Sequence, residues 1–357
     1  MKTKFGVMLA MAAWLGIGIL SAADIGPLPK VEFDAKKAAI GKRLFFDKRL
    51  SGDVALSCSS CHDPTKGFAD GKPLSDAYPG TEGFRNTPSV INTTFKDAWF
   101  HDGRIGTDLN DVTREMITET IWMNMDMRIM QERIKQDPVY IKMFADAGWG
   151  EPSNGKVRNA IPEYLKSLTS RNAPFDSGKM SAAAKAGQSI FTGKGGCVKC
   201  HNGPLFSDQK LHKLGVPENK EIFQKPLRHV AFIAFTKSMG IDNYMNLRQD
   251  PGGAIRNNYK ENLGTFMTPS LRELKYTAPY MHNGMLKTLK DVVDFYNKGA
   301  GKGSGLKALK LSSKEQSDLV AFLEALSGDP LNGPDHVWSE KIDVNYKPIP
   351  DWWKARN

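Results

Sequence analysis

At 357 residues with a formal net charge of +10, the chain is long enough for two domains that each bury a core. No basic stretch is interleaved with aromatic residues, which speaks against nucleic-acid binding. The excess of lysine reads as a solvated face, one that would also steer an acidic partner.

The chain opens with Lys2 and Lys4, an apolar run from Val7 to Leu20 and the small residues Ser21-Ala22-Ala23 before Asp24. This is the pattern of a secretory leader over residues 1–23. The run is shorter than the about 20 residues that span a bilayer. Cleavage, a periplasmic location and no stable membrane insertion are expected. Asp34 is placed to cap a helix running to about Phe46, with Ala38, Ile40, Leu44 and Phe45 facing inward. A turn at Ser51-Gly52-Asp53 then leads into Cys58-Ser59-Ser60-Cys61-His62.

That pattern returns as Cys197-Val198-Lys199-Cys200-His201, and the two copies use all four cysteines of the chain. Two residues between the cysteines let both sulfurs reach the vinyl groups of one porphyrin, and the adjacent histidine falls under the iron. A zinc ribbon needs its second CxxC about 15–20 residues further on. A redox CxxC would not explain the recurring histidine, and two disulfides would not explain the duplication. Two covalently bound haem c groups are therefore expected, with His62 and His201 as proximal ligands. Helix formers abound and alternating strand patterns are scarce, so the class is mostly α.

After His62 a Gly- and Pro-rich stretch to Pro79-Gly80 reads as irregular chain. From Thr107 to Met143 the pattern is helical, with Val112, Met116, Ile121, Met123, Met127, Ile129, Met130 and Ile134 at helical intervals. The methionines read as core filler, and Glu115 and Glu119 share a face. Ser153 to Lys156 is a polar break. Helices follow at Ile161 to Leu168 and Ser181 to Phe191, the latter leading into the second motif. Both halves thus run helix, loop, CxxCH, with no further repeat visible. His201 to Thr268 reads as loop-rich, and His229 and His336 as surface or packing residues. Helices are expected at Thr288 to Tyr296 and Leu311 to Leu326. The tail from Gly328, with Trp338, Trp352 and Trp353, is expected to pack back onto the body.

Arg85-Asn86-Thr87-Pro88, Trp99-Phe100-His101-Asp102-Gly103-Arg104, Thr268-Pro269-Ser270-Leu271-Arg272 and Ala278-Pro279-Tyr280-Met281-His282-Asn283-Gly284 lie between and after the two haem motifs. Together these stretches resemble the bacterial di-haem cytochrome c peroxidase and MauG-like family, over residues 34–327. The resemblance implies two cytochrome c-like domains, residues 24–175 with a peroxidatic haem and 176–330 with an electron-transfer haem, followed by a tail at 331–357. It implies reduction of hydrogen peroxide to water at the His62 haem, with electrons from a small donor protein such as cytochrome c or a cupredoxin passing in through the His201 haem. A second reading is a MauG-like enzyme that uses peroxide to oxidise residues of a partner protein. A third is a di-haem electron carrier without peroxide chemistry.

The family also implies residue roles. Tyr296 matches the position that is Met in the peroxidases and Tyr in MauG, where a phenolate would favour ferric iron; Met281 is the competing ligand. A calcium ion between the haems would be held by the Asn86 side chain and the carbonyl oxygens of Thr277 and Pro279, an oxygen-only set that suits a hard cation. His101 stands where most relatives carry a tryptophan bridging the haems. That makes Trp99 a substitute relay and His101 an alternative iron ligand. His212 matches a loop beside the second haem, in a structural role. No histidine occurs between His62 and His101, so the first iron is expected to be open in the resting ferric state. The family's acid–base glutamate falls by counting near Trp122; a small shift brings in Glu119, with Glu115 in reserve.

Overall fold

The computed structural model describes residues 25–257 and 260–331. The leader and the three tail tryptophans, with His336, lie outside the described residues. Helices run in the order α1 (Ala35–Phe45), α2 (Cys58–Cys61), α3 (Leu109–Thr118), α4 (Met127–Lys135), α5 (Pro138–Asp146), α6 (Asn154–Ser167), α7 (Ala182–Thr192), α8 (Glu221–Gln224), α9 (Pro226–Ser238), α10 (Ala254–Asn257), α11 (Leu289–Asn297) and α12 (Ser313–Glu324). Among the described residues the extended structure is one short antiparallel pair, β1 (Leu211–His212) with β2 (Phe266–Met267). The fold is mostly helical, as expected.

Two helix crossings build the two ends of the molecule. The Asp34 carboxylate accepts from the Lys36 and Lys37 amides and starts α1, which buries Ala38, Ile40, Leu44 and Phe45. α1 crosses α6 backbone to backbone: a Cβ on Gly41 would lie 1.9 Å from the Ala160 carbonyl oxygen. α7 crosses α12 in the same way, and a Cβ on Gly187 would lie 1.9 Å from the Asp318 carbonyl oxygen. The first core gathers Ile40, Leu44, Phe45, Phe68, Trp99 and Tyr164. Another gathers Phe191, Phe206, Leu289, Val293 and Phe322. The join between them has its own core, in which Leu74, Phe84 and Ile121 meet Phe232, Phe235 and Ala254. There Phe84 stacks edge-on against Phe232, ring centroids 5.5 Å apart.

Three expectations change. The continuous helical reading of Thr107 to Met143 is replaced by three helices. Between α3 and α4 the chain turns: the Trp122 and Asn124 amides both donate to the Glu119 carbonyl at 3.0 Å, and Ile121, Met123 and Met125 are buried. Two of its carbonyls are taken by distant chain, Met123 by the Gly52 N–H and Ile121 by the Tyr78 N–H. Asp126 and Asp137 then cap α4 and α5. The polar break at Ser153 is itself a cap, since Ser153 Oγ accepts from the Lys156 amide and α6 begins at Asn154. The stretch read as loop-rich contains α9, opened by Pro226 at its first position and burying Ala231, Phe232 and Phe235.

The internal repeat also extends beyond the haem motifs. Gly41 and Phe45 on α1 correspond to Gly187 and Phe191 on α7; Tyr164-Leu165 on α6 corresponds to Phe322-Leu323 on α12. The turns at 99–105 and 280–286 are the same device. Trp99 pairs with Ile105 and Tyr280 with Leu286. The residues after them, Phe100 and Met281, are left-handed at φ 67° and 75°. Gly103 and Gly284 follow at φ 66° and 63°.

Candidate functional site

The first motif is a single helical turn. The Ser57 amide donates to Ser60 Oγ at 3.0 Å, α2 carries Cys58 and Cys61, and His62 ends it. His62 Nδ1 lies 3.0 Å from the Phe68 carbonyl oxygen. A carbonyl only accepts, so Nδ1 carries the proton and Nε2 keeps its lone pair. Burial holds the imidazole neutral by lowering its pKa to about 4, and pushes the Cys58 and Cys61 thiols up to about 12.

The second motif repeats this. His201 Nδ1 lies 2.9 Å from the Phe206 carbonyl oxygen, and burial lowers the His201 pKa and raises the Cys197 thiol to about 11. Phe68 and Phe206 turn their carbonyls inward by adopting φ of 57° and 56°. Neither was singled out from the sequence, where the signal is a phenylalanine soon after each CxxCH. All four cysteines are free thiols. Two unpaired thiols beside a neutral histidine with its Nε2 lone pair available are the donor set that haem c requires, so the residues fit the group.

The two motifs differ in their surroundings. Beside the first, Asp70 and Asp76 act on the Cys61 thiol, after burial, to raise its pKa. Lys96 acts on His62, and its own amine is lowered to about 8 by burial. The Lys96 amine also sits 5.6 Å from the centre of the Trp99 ring. Trp99 is buried, and its Nε1–H has no partner among the described residues. For the second motif, the corresponding aromatic is Tyr296 on α11. Burial raises the Tyr296 pKa well above the ordinary phenol value, and the two cysteines add to it. Met281 occupies the left-handed corner of the 280–286 turn, half-buried.

Between the motifs lies a buried charge hub. Arg85 donates from Nε and Nη2 to the two Asp250 oxygens, both at 2.7 Å, and from Nη1 to Asp102. Arg104 adds a bond to Asp102 at 3.0 Å and lies 3.6 Å from Glu115. His101 Nε2–H donates to the Asn86 carbonyl at 2.9 Å. The Asn86 amide in turn donates to the His282 carbonyl at 2.7 Å. Burial, reinforced by Arg85, lowers His101 to about 4 and keeps it neutral. His101 and His282 hold equivalent places in the two turns, and His282 stacks on Phe266 with centroids 3.6 Å apart.

The remaining candidates are dispersed. Glu119 is the C-cap of α3; its carboxylate accepts from the Thr120 hydroxyl at 3.0 Å and the Ile121 amide at 3.4 Å, folded onto its own turn. Trp122 packs beside Phe84, centroids 6.5 Å apart. Asn86 Nδ2 donates to the Lys72 carbonyl at 2.7 Å. The 67–73 loop that supplies this carbonyl also touches Tyr276 and Thr277 at Gly67. Asn86 and Thr277 thus each meet that loop, at Lys72 and at Gly67. His212 Nε2 bonds to Asp208 at 2.8 Å beside Cys200.

The sequence profile of the di-haem cytochrome c peroxidase family matches residues 35–184. The chain is 49% identical over 338 residues to cytochrome-c peroxidase IdrP2 of Denitromonas iodatirespirans, covering 90% of this chain and 92% of that protein. It is 34% identical over 317 residues to methylamine utilization protein MauG of Methylorubrum extorquens, covering 85% and 82%. Its fold matches the crystal structure of a MauG-like protein associated with microbial copper homeostasis, with a TM-score of 0.73 at 23% identity over 90% of this chain and 98% of that one.

Proposed function

Because this chain belongs to the di-haem cytochrome c peroxidase and MauG family, we propose that it is a periplasmic di-haem peroxidase that reduces hydrogen peroxide to water with electrons from a small donor protein. Oxidoreductase chemistry of the peroxidase type follows from membership. The observation that carries the finer reading is the pair of CxxCH motifs whose histidines are both fixed through Nδ1. The two haems supply the redox chemistry: one peroxide takes two electrons and two protons and leaves as two waters.

This chain's own residues hold and orient. Cys58, Cys61, Cys197 and Cys200 anchor, His62 and His201 ligate through Nε2, and the Phe68 and Phe206 carbonyls keep those tautomers. We infer two cytochrome c-like units, at residues 24–175 and 176–330. The His62 side is the peroxide side, since no histidine between His62 and His101 is available to close it. The acid–base role stays with Glu119 as the proton-moving carboxylate, which must leave its own turn to serve, and Trp99 is the aromatic relay. Asn86, Thr277 and Pro279 would offer oxygens to a calcium ion. No helix among the described residues is long and apolar enough to cross a membrane.

Protein matured in a cytochrome c-competent host is expected to carry two haems by pyridine haemochrome assay. It should oxidise two equivalents of reduced cytochrome c per peroxide and show a high-spin ferric signal at rest. One haem or none, or exclusively low-spin iron inert to peroxide until half-reduced, would overturn the reading.

A MauG-like role is the second reading, favoured by the buried Tyr296 phenol, which feels both cysteines of the second motif. An anionic phenolate on the second iron favours the ferric state and lowers the potential. Tyr296→Phe is expected to abolish the low-spin signal of the second haem and raise its potential, while Met281→Ala leaves both unchanged. The reverse outcome would make Met281 the ligand and return the second haem to the high-potential peroxidase type.

A further inference from the structure

Buried cations of this chain have carboxylates of their own. Arg49 is held by Asp47 and Asp137, Arg85 by Asp102 and Asp250, and Arg272 by Asp176. Lys96 departs from this pattern. It is half-buried and forms no ion pair among the described residues, and burial alone lowers its amine to about 8. The neighbouring acid, Asp97, is engaged elsewhere, accepting from Gln209 Nε2 at 3.0 Å while its amide donates to Gln209 Oε1 at 2.6 Å.

Three residues on, Trp99 is 5% exposed. Its backbone N–H donates to the Ile105 carbonyl at 2.9 Å, yet its Nε1–H has no partner among the described residues. A donor buried without an acceptor costs the full desolvation of that group. The matching aromatic of the second turn, Tyr280, shows the ordinary solution, its hydroxyl donating to the Leu274 carbonyl at 2.8 Å. Two donors in want of an anion are thus neighbours, with Lys96 Nζ 5.6 Å from the centre of the Trp99 ring.

The ordinary reading is a lysine that reaches water over an indole bonded to an internal water. The lowered amine speaks against it, because an amine in water keeps its usual value. The charge of Lys96 also bears on His62 and on neither Cys58 nor Cys61, whereas the lysine that Cys61 feels is Lys72. The two sulfurs take the vinyl edge of the porphyrin, and its propionates hang from the opposite edge. An attached haem therefore brings carboxylates to the side of His62 away from the cysteines.

We propose that Lys96 and Trp99 form a propionate site for the first haem, the Lys96 ammonium pairing with the carboxylate and the Trp99 Nε1–H donating to it. The proposal rests on the reading that Cys58, Cys61 and His62 hold a haem. Offsetting one propionate charge makes the ferrous state easier to reach, so this pair sets the potential of the first haem apart from that of the second.

The test uses the holoprotein and its Lys96→Met, Lys96→Arg and Trp99→Phe variants. A pyridine haemochrome assay of the wild type checks the haem reading separately; fewer than two haems there defeats that reading, whatever the variants do. Spectropotentiometry gives two Nernst waves, and the first haem's is the one that does not respond to Tyr296→Phe or to Met281→Ala. In Lys96→Met this wave is expected to fall, the ferrous-to-ferric ratio at a fixed poise dropping about tenfold, the scale for one unit charge lost from a half-buried site. Lys96→Arg should restore it, and the second wave should stay in place. Trp99→Phe should shift the propionate bending band of the first haem in the resonance Raman spectrum. Lys96 is partly exposed, so Lys96→Met reads the pairing even where Trp99→Phe disturbs the core. A first wave unmoved in Lys96→Met, or displaced equally in Lys96→Arg, would overturn the proposal. So would an unchanged propionate band in Trp99→Phe, which leaves Nε1 to an internal water.

Discussion

Arg85→Met is expected to destabilise the holoprotein by about 3–5 kcal/mol, the range for stranding a buried charge by removing its partner. Arg85 is buried and is the shared cation of Asp102 and Asp250, both fully buried. Asp250 comes from the far half of the chain, so the loss also opens the join between the two ends of the molecule. Arg85→Lys should recover little, because a single ammonium cannot hold both Asp250 oxygens and Asp102 in one plane. Denaturant unfolding followed by circular dichroism measures the loss.

The pH dependence carries a sign. Burial alone would raise the Asp250 carboxyl, but the Arg85 charge outweighs it and holds the pKa at about 2; Asp102 is lowered in the same way. A folded-state pKa below the unfolded value of about 3.9 gives stability that is present above that pH. It is lost as pH falls toward 2. In Arg85→Met burial of Asp250 is opposed only by the Gly252 amide and His282, so its pKa rises. The variant should lose less stability than the wild type on acidification.

Gly187→Ala is expected to destabilise by about 1–3 kcal/mol, the usual cost of overpacking, and Gly187→Val to prevent folding of the second core. In an open helical site the same Gly→Ala change stabilises by about 1 kcal/mol. The reversal of sign therefore isolates the contact with the Asp318 carbonyl, 1.9 Å from the added carbon. Gly155, in α6 with nothing within 4 Å of its Cβ position, is the control and should show the ordinary gain. Gly41→Ala should repeat the loss in the first core. Thermal melts of the four proteins against the wild type measure all of these differences.

The sequence carried its local signals plainly. Asp34, Ser181, Thr288 and Ser312 cap their helices through bonds to amides two or three residues on, and such pairs are visible in a short window. The haem motifs are local in the same sense. The segment 119–126 misled because its isoleucine and methionines keep near-helical spacing while the chain turns, and the partners of its carbonyls at Gly52 and Tyr78 lie far away in the chain. The wider repeat was hidden because its shared residues are few and sit between insertions of unequal length. Gly41 and Gly187 are each followed four residues later by phenylalanine, a signal too short to stand alone. The hub was hidden too, since nothing near Arg85 marks Asp250 as its partner.

The helix crossings set an order of maturation. Cys58 to His62 lie inside the loop that the α1–α6 crossing closes, so the first motif is made well before the helix that will cover it. Until the chain through Ser167 has followed and α6 has docked on α1, the thiols stand on an open loop accessible to a haem-attaching enzyme. The delay is longer still for the core itself. Leu331, beyond α12, is buried among the residues of the first core. The half of the molecule made first is thus the half completed last, and a chain ending before Leu331 would leave its opening core unfinished.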